Sequence, residues 1–293
     1  MDCVIENDFL KVTANTHGGE LHSIIGKKSG QEYIWKGLPY AWKLYAPTLF
    51  PVIGKVWNYQ YEYNNKKYFM PQHGFISKVR YKLKEKKDNK LVFEFKDDEE
   101  SKLIYPFKFL IENSFELNEN ILMVKVTINN LDNKEMYFSI GFHPSFKCPM
   151  YGEDDEFSDY YLEFSKVENS NKMEINKDDY LTGKSLKCLD NTNKINLSEK
   201  LFKNGTYVFN NLNSKEVTLK SNKHKRSVSV NFEGFPYLAL WVPDNMTEFV
   251  CIEPWNGHAD YVDFSENISK KEGVISLMPN KKYNCEYQIK IHE

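Results

Sequence analysis

The chain lacks most of the features that would assign it quickly to a functional class. Lysine and arginine (39) nearly balance aspartate and glutamate (41), leaving a formal charge of −2 over 293 residues. Without an excess of positive charge there is no field to hold a phosphate backbone, so nucleic acid is not an expected partner. The one basic run, KHKRS at 223–227, lies between two strand-like stretches and reads as a solvated hairpin turn. The five cysteines (Cys3, Cys148, Cys188, Cys251 and Cys285) are odd in number, far apart and never in a C-x-x-C pair. That argues against both a zinc knuckle and a disulfide framework, and it fits a reducing compartment. The opening MDCVIENDFLKV has early acids in place of a basic n-region and apolar h-region, and no apolar run approaches the roughly 18 residues of a membrane span. A cytoplasmic protein without membrane contact is therefore expected.

Helical periodicity is also scarce. The best amphipathic candidates are short, and Pro47 and Pro51 interrupt the one around LYAPTLFPVIG. What is abundant is period-two alternation. In NILMVKVTINN, Leu122, Val124, Val126 and Ile128 fall on one face, opposite Met123, Lys125 and Thr127. LVFEF, EVTLKS, SVSVNFEG, YLALWVP, FVCIEPW and YNCEYQIKI behave alike. With 20 Phe, 19 Tyr and 5 Trp there is ample material for a large core. Strands must then pack on strands, which predicts an all-β fold, a large antiparallel β-sandwich spanning 1–293 as a single domain. No repeat of fixed period argues for a propeller. The stretch 151–200 is polar and weakly patterned apart from YYLEF, and reads as a strand among long loops elaborating the same domain.

Three ionisable residues sit at the ends of apolar strands beside proline or glycine: His73 in PQHGF, His143 in SIGFHPSF and Glu253 in FVCIEPWNG. A histidine between a proline turn and a glycine is an expensive turn residue, since asparagine or aspartate would accept the dihedrals and hydrate freely. His143 shares the smaller, more polar face with Tyr137, Ser139 and Gly141, and Pro144 biases it toward an extended conformation. Glu253 shares a face with Phe249, Cys251 and Trp255, where a carboxylate is poorly solvated unless something pairs with it. A carboxylate with an ordinary pKa of about 4.3 and an imidazole near about 6.5 make a base and an acid usable together at neutral pH. Trp255, Phe75, Trp57 and Trp42 offer flat apolar platforms for the C–H face of a pyranose, although aromatics at strand ends more often belong to a core. The other histidines, His17, His22, His224, His258 and His292, carry weaker signals.

Taken in order, ENDFLKVTANTHGGELHSI, EYIWKG, LFPVIGKV, PQHGF, GFHPSF, YVFNNLNSKEVTL and FVCIEPWNG resemble the aldose 1-epimerase (galactose mutarotase-like) family, most closely its branch exemplified by the X protein of lactose operons. The resemblance implies a concave sheet holding a free aldose, with His143 protonating the ring oxygen and Glu253 taking the proton of the anomeric hydroxyl. It implies sugar-binding roles for His73, Lys55, Gln72 and Trp255. No metal or other cofactor is implied, and the state expected is a monomer or homodimer. Two departures stand out. Lys55 occupies a place where many members have an arginine, and a point charge does not replace a bidentate fork. Gly205 falls where a sugar-binding aspartate is common.

Three other readings use the same residues. Two histidines and a glutamate are also the ligand set of a mononuclear iron or manganese oxygenase, but His73, His143 and Glu253 each end a different strand, whereas such barrels often take two ligands from one short segment. A non-catalytic sugar-binding protein predicts affinity without exchange. A sugar-phosphate substrate would lean on Lys55 and Lys43, a thin basis for phosphate binding.

Overall fold

In the computed structural model, which describes all residues except Glu153, Asn204 and Asn245, the alternating stretches form strands with their apolar sides inward. Leu122, Val124, Val126 and Ile128 of the strand Ile121–Asn130 are buried, while Met123, Lys125 and Thr127 between them are half-buried. A slip of one residue would exchange the two sets, so the pattern itself fixes the register with Phe109–Asn118 on one side and Lys282–His292 on the other. The chain leaves this strand through a turn in which the Asn130 side chain accepts from the Asp132 N–H and donates to the Lys134 and Leu277 carbonyls. Each fully buried aliphatic or aromatic side chain along such a face contributes on the order of 1.5–3 kcal/mol.

Fifteen strands join in one sheet. Its hydrogen-bonded path runs from Thr48–Leu49 through Ile140–Phe142, Phe249–Asn256, Tyr237–Trp241, Tyr207–Phe209 and Tyr160–Ile175. It continues through Glu216–Ser221, Ser227–Asn231, Lys282–His292, Ile121–Asn130, Phe109–Asn118 and Lys90–Lys96 to Lys82–Lys87. A sheet of this length cannot stay flat, because strand twist accumulates across it. It folds back on itself: Phe142, near one end of the path, packs on Tyr287 with ring centroids 4.6 Å apart, and Phe50, beside the first strand, packs on Phe109 at 5.2 Å. The result is a β-sandwich whose strands pair antiparallel throughout this path. A smaller three-stranded sheet, Asp2–Glu6, Leu10–Asn15 and Glu20–Gly26, is also antiparallel. The α-helix Glu99–Ile104 is held by a capping box between Asp98 and Ser101.

The polar stretch 151–200 differs from the expectation of long loops. It forms two sixteen-residue strands, Tyr160–Ile175 and Leu181–Asn196, paired as a hairpin. Register shifts interrupt the ladder between Glu163 and Glu168, around Ser170 and between Met173 and Ile175. Each bulge resets the alternation, so no single period survives in the sequence. The basic run at 223–227 does fall in the connection between the paired strands Glu216–Ser221 and Ser227–Asn231.

Candidate active site

Glu253 lies in the middle of Phe249–Asn256, a strand buried along its whole length. On one side the strand pairs with Tyr237–Trp241, where small Ala239 faces Glu253. On the other side two short strands share it: Gly141 pairs with Trp255 and Ser145 with Cys251. Counting inward from both pairs, His143 falls directly opposite Glu253. Pro144 cannot continue the ladder, and its carbonyl instead accepts from Ile252 N–H while His143 N–H turns to the Pro47 carbonyl. Opposed residues on one face of an antiparallel pair meet, and His143 Nε2 stands 3.2 Å from Glu253 Oε2. Beside this pair Gly141 is required by packing: a Cβ there would meet Trp255 Cδ1 at 2.7 Å and Ile53 Cδ1 at 2.9 Å. Gly141→Ala should therefore displace the Trp255 indole, seen as altered tryptophan fluorescence together with a loss of activity; unchanged spectra would refute the constraint.

His73 has a positive φ of 62°, and the cost of that backbone is met by a reciprocal pair of bonds with Gly54. His73 N–H donates to the Gly54 carbonyl at 2.8 Å, and Gly54 N–H donates to His73 Nδ1 at 3.1 Å. Asparagine could take the same turn but not supply this ring nitrogen at the same reach. Because Nδ1 accepts, the neutral ring carries its proton on Nε2 and is a hydrogen-bond donor there. Gly74 follows with φ 76°, and a Cβ on it would lie 2.0 Å from the Phe50 carbonyl oxygen, so the turn is pressed against the strand end at Phe50. The His73 ring stands edge-on to His143, centroids 5.6 Å apart, and 6.4 Å from Trp255.

These groups share a cavity of about 450 Å³, of the size that takes small ligands. Its wall includes Gln72, His73, His143, Glu253 and Trp255 of the expected set. Trp42 and Trp241 flank His143, with centroids at 4.7 and 5.4 Å, and both line the cavity. Lys55 is not in the wall: its ammonium pairs with Asp179 at 2.9 Å and donates to the Asp178 carbonyl at 3.0 Å. Phe75 is buried in the core against Tyr105 and Phe109, and Trp57 packs on Tyr180. Near Gly205 it is the next residue, Thr206, that reaches the wall.

Burial dominates the electrostatics. Glu253 is wholly buried and His143 nearly so. Loss of water pushes the Glu253 carboxyl well above the usual carboxylate range. Loss of water and the neighbouring His73 push His143 well below the usual imidazole range. His73 is lowered by burial to about 4, with Asp179 opposing the shift. Burial thus favours the uncharged form of all three groups in the empty site, with the titratable proton of the His143–Glu253 pair on Glu253. Both Glu253 oxygens, His143 Nδ1, Trp255 Nε1 and His258 Nε2 are buried without a hydrogen-bond partner. Among the described residues, five of the ten buried side-chain atoms without a partner belong to this one wall, a concentration that a polar ligand would satisfy. His143, Cys251 and Glu253 also bring donor atoms within 4.8 Å of one another, a mixed N, S and O set of the kind that binds zinc-like ions; His73 is outside that group.

Among the wall residues that the sequence did not mark as candidates are His258 and Asp179. His258 follows Glu253 by five residues and is brought round by Gly257, and Asp179 sits in the turn of the long hairpin. Proximity of His258 to Glu253 in the chain was the only available signal for the first, and there was none for the second.

A family model described as aldose 1-epimerase matches residues 1–290. The chain is 32% identical over 302 residues to the chromosomal protein LacX of Lactococcus lactis subsp. lactis, covering 99% of each. Among solved structures, a galactose mutarotase related enzyme from Lactobacillus acidophilus is 29% identical with a TM-score of 0.95, over 100% of this chain and 98% of that one. A galactose mutarotase-like protein from Lactobacillus casei ATCC 334 is 28% identical with a TM-score of 0.94, over 100% of both chains.

Proposed function

The chain belongs to the aldose 1-epimerase family, and we propose that it is itself a mutarotase, interconverting the α and β anomers of a free aldose. The observation that carries this reading is the one-proton pair of His143 and Glu253, 3.2 Å apart and buried at a cavity of sugar size. Anomer exchange requires removal of the O1 proton, cleavage of C1–O5 with protonation of O5, rotation about C1–C2 and reclosure on the other face. In the opening step Glu253, as carboxylate, takes the O1 proton, and His143, as imidazolium, gives its proton to O5. The C1–O5 electron pair goes to O5 while the O1 pair forms the aldehyde. The pair begins and ends with one proton, so no cofactor enters the proton balance. Reclosure reverses the two roles. His73 Nε2–H donates to the bound sugar, and Trp42, Trp241 and Trp255 exclude water around it.

The empty site favours the neutral arrangement, which is the proton distribution reached after ring opening. Sugar hydroxyls that satisfy the orphaned atoms reduce the desolvation cost of the charged arrangement, whose two members stand 3.2 Å apart. NMR exchange spectroscopy or polarimetry on freshly dissolved glucose and galactose tests the reading. Accelerated exchange is expected; sugar binding without acceleration would replace it with the sensor reading.

The same pair sets the pH dependence. A second proton arrives only below the folded pKa of His143, which lies well under its ordinary 6.5, and the single proton is lost only above that of Glu253, well over its ordinary 4.5. Burial moves the two titrations in opposite directions, His143 down and Glu253 up, so the acid limb of the kcat/KM profile should lie below the ordinary imidazole value and the alkaline limb above the ordinary carboxylate value. An acid limb at or above about 6.5 would contradict the arrangement.

A further inference from the structure

We propose that Asp179 and His258 form an acceptor subsite, in the wall of the cavity that holds the proton-transfer pair, that takes free hydroxyl groups of a neutral aldose and so determines which sugar the protein prefers. This rests on the mutarotase reading for the placement of the anomeric carbon at His143 and Glu253. The sequence offers no carboxylate where Gly205 stands, yet the wall has one: Asp179, more than half exposed, at the tip of the hairpin between Ile175 and Leu181. The turn is built for it. The Asn176 side chain accepts from the Asp178 and Tyr180 N–H groups, and Asp179 adopts φ 65°. Lys55 then grips the turn through the Asp179 carboxylate and the Asp178 carbonyl.

His258 supplies the second acceptor independently. Its Nδ1 lies 2.7 Å from the Ala259 carbonyl, which can only accept, so the ring proton is on Nδ1 and Nε2 is a bare lone pair. That nitrogen is buried without a partner, in a wall residue only 1% exposed. Glu272 Oε1 is 3.9 Å away and is itself an acceptor, its carboxylate already receiving the Tyr261 hydroxyl at 2.9 Å. Burial, and after it Lys271 nearby, lowers the pKa of this ring against the opposing carboxylates of Glu272 and Asp260.

Backbone hydrogen bonds hold the two acceptors in one wall. Leu181 N–H donates to the Asp260 carbonyl, Val262 N–H to the Leu181 carbonyl, and Asp260 N–H to the Lys55 carbonyl, docking the hairpin base onto the segment that follows His258. The subsite thus offers a carboxylate and a bare imidazole nitrogen in the same cavity wall as the donor His73. Hydroxyl groups satisfy this set because each acceptor takes a donated hydrogen bond, which a phosphate dianion or a carboxylate cannot give. Lys55 acts as a positioning residue, its ammonium spent on the turn.

The test measures anomer exchange and, separately, sugar affinity by calorimetry, for the wild type and variants over glucose, galactose, their monodeoxy derivatives and hexose 6-phosphates. Asp179→Ala should raise KM about 10- to 100-fold and His258→Phe up to about tenfold, with kcat little changed. Each variant should also stop distinguishing the parent sugar from one particular deoxy derivative. Lys55→Met should mimic Asp179→Ala and Lys55→Arg should restore it. Equal weakening toward every sugar, or no change, would overturn the subsite, as would a wild-type preference for hexose phosphates. A wild type that binds sugars without exchange removes the mutarotase reading, and the affinity series then decides the subsite by itself. A wild type that binds none of these sugars overturns both.

Discussion

Glu253→Gln lowers the rate of anomer exchange by about 10²- to 10⁴-fold while sugar affinity stays within a few-fold of the wild type. The amide matches the protonated carboxyl in shape and charge, and the protonated form is the one that burial favours in the empty site. The substitution therefore leaves folding and binding largely alone and removes only the ability to take a proton. His143→Asn should cost a similar factor, since the two groups serve one transfer and neither works without the other. The double variant should be scarcely slower than either single one, because residues that act as a unit are not additive. His73→Asn keeps a residue suited to the positive φ and should raise KM more than it lowers kcat, consistent with a hydrogen-bond donor outside the proton path. Full exchange in Glu253→Gln with confirmed incorporation would refute the assignment outright.

Local alternation made much of the fold readable. The stripe from Leu122 to Ile128 and the run from Phe249 to Trp255 announce strands because one face of each must leave water, and the sandwich follows from having few helices to pack against. The hairpin Tyr160–Asn196 was hidden by its bulges, which break the period that a reader can count. In the site, His143 and Glu253 stood out as polar groups ending apolar strands, but their opposition depends on register across a strand break and is set by Gly141 and Ser145 pairing on either side. Asp179 and His258 were unreadable for a different reason. Asp179 belongs to a remote turn that Lys55 fastens, and His258 follows Gly257, whose φ of 115° redirects the chain. Nothing local in either residue separates a wall position from a solvated one.

The fastening itself carries the second large expectation. Beneath the His258 wall, Lys271 and Asp260 form an ion pair with both side chains almost fully buried. The other oxygen of Asp260 accepts the Trp57 N–H at 2.8 Å. Lys271→Ala strands a carboxylate away from water, which typically costs about 3–5 kcal/mol, or a fall in Tm of roughly 6–20 °C for a chain of this size. The double replacement Asp260→Asn with Lys271→Gln keeps the acceptor for Trp57 and a hydrogen bond across the pair without any buried charge, so it should lose much less. A single variant that melts within a degree of the wild type would show the pair to be solvated in solution. The same comparison separates stability from function: the Asp260 backbone ties the wall to Lys55 and to the hairpin base. Thus Lys271→Ala measured well below its melting temperature should raise KM for the sugar, as loosening of the Asp179 and His258 wall requires, while the proton pair on the neighbouring strand keeps kcat close to the wild-type value.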